Sequence, residues 1–287
     1  MGTPAQVHDV KPPPLPLSIS EQDWRPLEHW ENLELQKKLM HQLNAHKLWR
    51  SLIRKHKMAV GVVDLKDQHA IRFASVNGDT MMYAASLPKI AILLTTCQAF
   101  EDRTLKETPE IKNDVKKMIK NSDNRAATRM IDRLGFDKIK AVLEDSTFRL
   151  FDPEKGGGLW VGKRYARSGP RYPDPLKGLS HAANVLQVCR FYYLLATGKL
   201  ISRSRCNQML YMLSNTHLHH KFVHALDHIE PFARVYRKSG TWRIWHSDSV
   251  LVWGLDTRYI LVGLVEDRRG EQILRDLVPV IEKVLYN

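Results

Sequence analysis

Three short groups of residues in this chain could together activate a nucleophile and attack a carbonyl. The first is Ser86-Leu87-Pro88-Lys89, where an apolar stretch through Tyr83-Ala84-Ala85 runs into Ile90-Ala91-Ile92-Leu93-Leu94. A serine hydroxyl attacks a carbonyl only when a base takes its proton. An amine three residues on lies along the same helix face and can be that base if it is neutral. Ser86 stands where a helix N-cap is expected, and Pro88 suits a first turn, so capping alone could explain this group. The second group is Ser122-Asp123-Asn124 and the third is Lys238-Ser239-Gly240-Thr241. They add a second hydroxyl, an amide and a second amine. Burial and a neighbouring cation both lower a lysine pKa, so Lys238 brought near Lys89 would help to make it a base.

In this order the three groups resemble the motifs of the serine β-lactamase and D,D-peptidase superfamily, class A-like branch. The resemblance runs from about Met58 to the C-terminus. It implies an α+β fold: an antiparallel sheet flanked by helices, an all-α domain, and the active site between them. It also implies roles. Ser86 is the nucleophile, Lys89 the nearest base, and Ser122 passes a proton to the leaving group with Lys238 tuning it. Asn124 bonds the amide side chain of the substrate, while Lys238 and Ser239 hold its carboxylate. Gly240 lets substrate lie close to the strand. The backbone N–H groups of Ser86 and Thr241 form the oxyanion hole, and Trp242 walls the cleft. No cofactor or metal is implied.

The chain departs from the class A pattern in two places. Ser122 follows Ser86 by only 36 residues, a short interval that trims the helical part. Class A enzymes also hold a deacylating water with a glutamate followed closely by Leu-Asn. Here Arg149-Leu150-Phe151-Asp152-Pro153-Glu154 is similar to the start of that segment, but Gly156-Gly157-Gly158 follows. Glu154 is a candidate water base, with a solvated loop charge as its other reading, and deacylation is expected to be slow. The expected activity is a serine acyl hydrolase forming a Ser86 acyl-enzyme with a β-lactam or a D-Ala-D-Ala-type amide. The alternatives are a carboxylesterase or small-amide tailoring hydrolase, and a non-catalytic module that binds penicillin or cell-wall fragments.

The elements that must position these groups follow from hydrophobic periodicity. Leu27 to Ile53 carry apolar residues at helical spacing. Residues 57–65 and 71–76 read as a strand pair, and the helix capped by Ser86, with Pro88 in its first turn, runs on through Phe100. Pro109 opens a helix, Ser122-Asp123-Asn124 interrupts, and Gly135 ends the next helix. Residues 151–180 read as a long irregular loop, and 181–228 as helix. Three strands follow at 233–241, 246–254 and 259–265, then an amphipathic helix over 271–285. The expected division is a proline-rich tail at 1–20, a sheet domain of 21–103 with 230–287, and a mostly helical domain of 104–229.

Composition narrows the function classes. The 287 residues carry a net charge of +13, enough to draw the protein towards anionic partners. The charges are scattered and accompany no nucleic-acid module, so the expected partner is a small-molecule or peptide amide or ester and not nucleic acid. Cys97, Cys189 and Cys206 are far apart and form no C-x-x-C pair. His217, His219, His220, His224 and His228 cluster, with the last three on one expected helix face. No H-E-x-x-H or suitable carboxylate accompanies them, so zinc is not expected. No run is long and apolar enough to span a membrane. The N-terminal residues lack the apolar stretch of a signal peptide. The resemblance implies a periplasmic or secreted protein, with a cytoplasmic location as the alternative.

Overall fold

A computed structural model describes residues 11–286. After a short 3-10 turn at Leu27–Trp30, helices α1 (Leu33–Ala45) and α2 (Lys47–Arg54) lead to strands β1 (Met58–Asp64), β2 (Arg72–Val76) and β3 (Met82–Tyr83). Helices α3 (Lys89–Glu101), α4 (Pro109–Lys120), α5 (Asn124–Leu134) and α6 (Phe136–Glu144) follow. Short strands β4 (Phe151–Asp152), β5 (Gly157–Gly158), β6 (Trp160–Val161) and β7 (His181–Ala183) precede α7 (Val185–Ala196), α8 (Arg203–Leu213) and α9 (Phe222–Ile229). Strands β8 (Arg234–Trp242), β9 (Trp245–Trp253) and β10 (Arg258–Glu266) precede the last helix, α10 (Gly270–Tyr286).

The main sheet is antiparallel with strand order β2-β1-β10-β9-β8, so strands from both chain ends interleave. Side chains on a strand alternate between faces. Met58, Val60 and Val62 of β1 pack with Leu35, Leu39, Leu277 and Ile281 of α1 and α10. Ala59 and Val63 face the other way, into a core shared with α7 and α3. Both faces are covered, which is why these strands read as nearly unbroken apolar runs. Gly61 allows α7 to close on β1: a Cβ there would lie 2.8 Å from Cys189 Sγ and closer still to Val185.

Several sequence expectations change. Helix α3 was expected in the sheet domain, yet it is buried along most of its length among α4, α5, α6 and α8. Its core is continuous with α7 and the inner sheet face, so the helical and sheet regions share one apolar interior. The expected tail at 1–20 lies partly outside the described residues, and its described part is packed. Leu17 is buried, its N–H donates to Ala196 O at 2.7 Å, and Trp253 Nε1 donates to Pro13 O at 2.7 Å.

The expected irregular loop over 151–180 contains paired strands. β4 pairs with β5, and β6 joins β7 and β3 in a second small sheet. His181–Ala183 is therefore strand, where helix was expected. The His cluster also divides. His224 and His228 lie together on α9, but His220 precedes the helix and faces Arg237. Among the described residues no group of three or more His, Cys, Asp or Glu is placed to hold a metal ion. The three cysteines are buried free thiols. No described helix is long and apolar enough to cross a membrane.

Candidate active site

The Ser86 turn is held between β3 and α3 by backbone bonds. Ala84 N donates to His181 O at 2.9 Å, and Ala84 O accepts from Leu87 N at 3.0 Å and from Ser247 Oγ at 2.8 Å. Ala85 has φ +51°, a left-handed conformation that costs energy for a residue with a Cβ. Its carbonyl accepts from Tyr165 Oη at 3.1 Å. The helix begins later than expected, with Pro88 at its N-cap and no side-chain capping bond. Ser86 therefore does not spend its hydroxyl as a cap, and its side chain is half-buried.

Lys89 sits in the first turn of α3, fully buried. Its Nζ donates to Ser122 O at 2.6 Å, Asn124 Oδ1 at 2.7 Å and Ser122 Oγ at 3.3 Å. Lys238 reaches the same hydroxyl from β8, at 2.9 Å, and also donates to Ser239 O at 2.8 Å. One Ser122 oxygen thus lies between two buried amines. Ser122 takes φ +56°, and Asp123 next to it caps α5 through Ala126 N at 2.6 Å. Burial lowers the Lys89 pKa to about 7, with the Asp123 carboxylate opposing. Burial, then the charges of Lys89 and Arg237, hold Lys238 well below the usual lysine range.

Strand β8 is the edge of the main sheet, and Gly240 meets the Ser86 turn there. A Cβ on Gly240 would lie 2.6 Å from Ser86 N, 2.7 Å from Ser247 Oγ, and closer still to Ala84 O. The missing side chain of Gly240 thus gives the Ser86 turn room against β8. Beneath this strand lies Lys221, which belongs to none of the three sequence motifs. Its Nζ is buried and donates to Gly240 O at 2.6 Å, Thr241 Oγ1 at 2.8 Å and Ser247 O at 3.0 Å. Burial brings its pKa down to about 8, with Asp248 opposing. The buried Arg237–Asp248 pair, at 2.8 Å, braces the same region, and Asp248 Oδ2 accepts from Phe222 N at 3.2 Å. Lys221→Met should leave buried carbonyls without a donor and cost about 2 kcal/mol of stability, read by urea denaturation. A loss below about 0.5 kcal/mol would show that these bonds do not brace the strand.

A sequence profile described as the Beta-lactamase enzyme family matches residues 103–287. The chain belongs to the beta-lactamase enzyme family. The matched stretch includes Ser122, Asn124 and Lys238; Ser86 and Lys89 precede it. A search of curated proteins found no match. Solved structures share the fold. A beta-lactamase from Sphaerobacter thermophilus DSM 20745 is 16% identical, with a TM-score of 0.67, covering 87% of this chain and 97% of that one. A mutant of PBP-A, solved as an acyl-enzyme complex with penicillin G, is 21% identical, with a TM-score of 0.62 over 90% and 97%. TLA-3 extended-spectrum beta-lactamase is 11% identical, with a TM-score of 0.67 over 86% and 99%. The protein is thus a serine hydrolase of this family, with its α+β fold.

The family pattern and this structure part at Glu154. That residue is exposed on the 3-10 turn Pro153–Lys155, and Asp152 caps the turn through Glu154 N at 3.0 Å. It does not line the groove beside the Ser86 turn. The glycines after it explain why: they fold the segment against Asp79, Met81 and Leu150. Tyr165 and His181, unmarked in the sequence, stand beside Lys89 instead. Lys89 Nζ lies 4.5 Å from the Tyr165 ring centre, and Tyr165 stacks on His181 at 4.1 Å. Burial, then the charges of Lys89, Lys163 and Arg171, lower the His181 pKa to about 3, so its ring is neutral at neutral pH. Trp242 is 54% exposed and lines both hollows with Tyr83. Ser239 is buried and Thr241 exposed.

Proposed function

We propose that the protein forms an acyl-enzyme on Ser86 with a β-lactam or a D-Ala-D-Ala-type amide and releases the acyl group slowly. The observation that carries this reading is the Ser122 hydroxyl held between two buried amines, one of them a single helical turn from Ser86. Neutral Lys89 takes the Ser86 proton as Ser86 Oγ adds to the substrate carbonyl. Charge developing on the carbonyl oxygen is met by the backbone N–H groups of Ser86 and Thr241, a role supported by the close approach of Gly240 to Ser86 N. Ser122 then gives its proton to the leaving nitrogen and recovers one from the lysines. With Asn124 Oδ1 committed to Lys89, the Asn124 amide N–H group is left to bond the substrate. Lys238 and Ser239 attract the substrate carboxylate. A periplasmic or secreted site of action goes with such substrates.

Slow release rests on the groove lining. Glu266 is the one carboxylate among its described residues, and it is paired with Lys57 at 2.8 Å. The hollows next to the Ser86 turn thus offer a water no unpaired carboxylate among the described residues. The pH dependence follows from Lys89. Below about 7 the amine keeps its proton and cannot accept another; above it the amine is neutral. The titration belongs to the coupled Lys89–Lys238 pair.

Intact mass after mixing with benzylpenicillin tests this. The expected result is a lasting adduct of one drug mass on the peptide containing Ser86, forming about tenfold faster at pH 8 than at pH 6. Hydrolysed drug without an adduct would overturn slow release. Intact drug and no adduct would overturn the β-lactam reading and favour an esterase.

A further inference from the structure

Near the Ser86 turn lie two adjoining hollows of about 700 and 570 Å3, which share Tyr83, Lys163, Ser180 and Trp242. Their basic lining is not balanced by acid. Lys163, Arg167, Arg171 and Lys177 face these hollows, and none has a carboxylate partner among the described residues. Donors from three of them rest on main-chain oxygens: Lys163 on Arg167 O at 3.3 Å, Arg171 on Gly178 O at 3.3 Å and Lys177 on Met81 O at 3.0 Å. Arg164, also in the lining, differs, being paired with Asp132 at 2.6 Å. The carboxylate of Glu266 is already neutralised by Lys57.

The segment that carries these cations is built to hold its shape. Buried Asp174 accepts from Leu176 N, Lys177 N and Leu179 N at 2.9, 2.8 and 2.5 Å. Trp160 Nε1 donates to Tyr172 O at 2.8 Å, and Tyr172 N donates to Gly162 O at 2.6 Å. Like charges gathered on one exposed rim repel one another in the free protein, and an anion relieves this. Tyr83, Trp242 and Trp245 supply flat apolar walls between the cations and the Ser86 turn.

We propose that this groove is a second anion subsite, so that the preferred acyl donor carries a carboxylate or phosphate on its acyl side chain, next to an apolar or aromatic spacer. This would be in addition to the carboxylate presented to Lys238, and it rests on the acyl-transfer reading above. Arginine matches either anion through its forked donors, and lysine contributes a point charge.

Two arms test the proposal. Carbenicillin is benzylpenicillin with a second carboxylate on the side chain. At low ionic strength the wild type should be acylated about tenfold more efficiently by carbenicillin than by benzylpenicillin, with the ratio falling towards one in about 0.5 M salt. The Lys163→Gln/Arg171→Gln double variant, both positions at the surface loop, should also bring the ratio to about one. A ratio near one for the wild type, or one indifferent to salt and to the double variant, would overturn the subsite. The second arm needs no chemistry. Tryptophan fluorescence of Ser86→Ala, titrated at about pH 5, where a phosphate monoester keeps one proton, with isophthalate, 3-carboxyphenyl phosphate and benzoate, should show either dianion binding about tenfold tighter than benzoate. The tighter dianion identifies the anion preferred. Equal binding of all three would overturn the subsite. If neither drug acylates the enzyme while the dianions still bind selectively, the acyl-transfer reading fails and the anion subsite stands.

Discussion

Ser86→Ala is expected to abolish adduct formation with benzylpenicillin, lowering acylation by about 10^4-fold or more. The fold should survive, because the Ser86 side chain makes no capping bond and is only half-buried. Its thermal unfolding should match the wild type within about 0.5 kcal/mol. The loss would then belong to the hydroxyl and not to the turn. The bonds of Ala84 and Ala85 that hold the turn are made by main-chain atoms and by Ser247 and Tyr165, which the substitution leaves in place. Continued acylation of the variant, or an adduct mapped to another peptide, would remove Ser86 from the reaction.

Gly240→Ala should impair the same step without touching a reacting side chain. The new Cβ would sit 2.6 Å from Ser86 N, and closer to Ala84 O, so two stretches of main chain must separate. Main chain cannot swing aside as the end of a flexible side chain can. The strain should cost about 1–3 kcal/mol of stability. A shift of about 1 Å in the Ser86 turn relative to β8 should slow acylation by about 10^2-fold. Urea denaturation and the mass time course read the two effects separately. A variant that loses stability but acylates normally would show that the Ser86–Gly240 approach does not set the geometry of attack.

Much of the site was legible in the residue pattern, and for a definite reason. Ser86 and Lys89 belong to the turn that leads into α3, Ser122 to Asn124 to one helix boundary, and Lys238 to Thr241 to one strand, so each group is a local pattern. The strands β1 and β10 were legible because burial on both faces leaves an apolar run. The errors arose where long-range contacts overrode local pattern. The glycines after Glu154 looked like slack loop, but they let the segment pack on Asp79 and Leu150 and carry Glu154 to the surface. His181 looked like the start of a helix because α7 follows so closely, yet pairing of its strand with β3 on one side and β6 on the other holds it extended.

The sequence by itself determined which side chains could do chemistry, the order in which they occur and the elements that carry them. Those depend on residue type and on spacing of a few positions. The tertiary structure alone decided which amine meets which oxygen. Lys238 and Ser122 lie 116 positions apart, and their contact at 2.9 Å exists only because β8 closes against the helical layer. It also decided that Lys221 lies beneath the strand, that Glu154 lines neither hollow, and that four cations around the two hollows have no carboxylate partner among the described residues. Protonation and charge pairing are set by burial and by distance through space, and neither quantity is written in spacing along the chain.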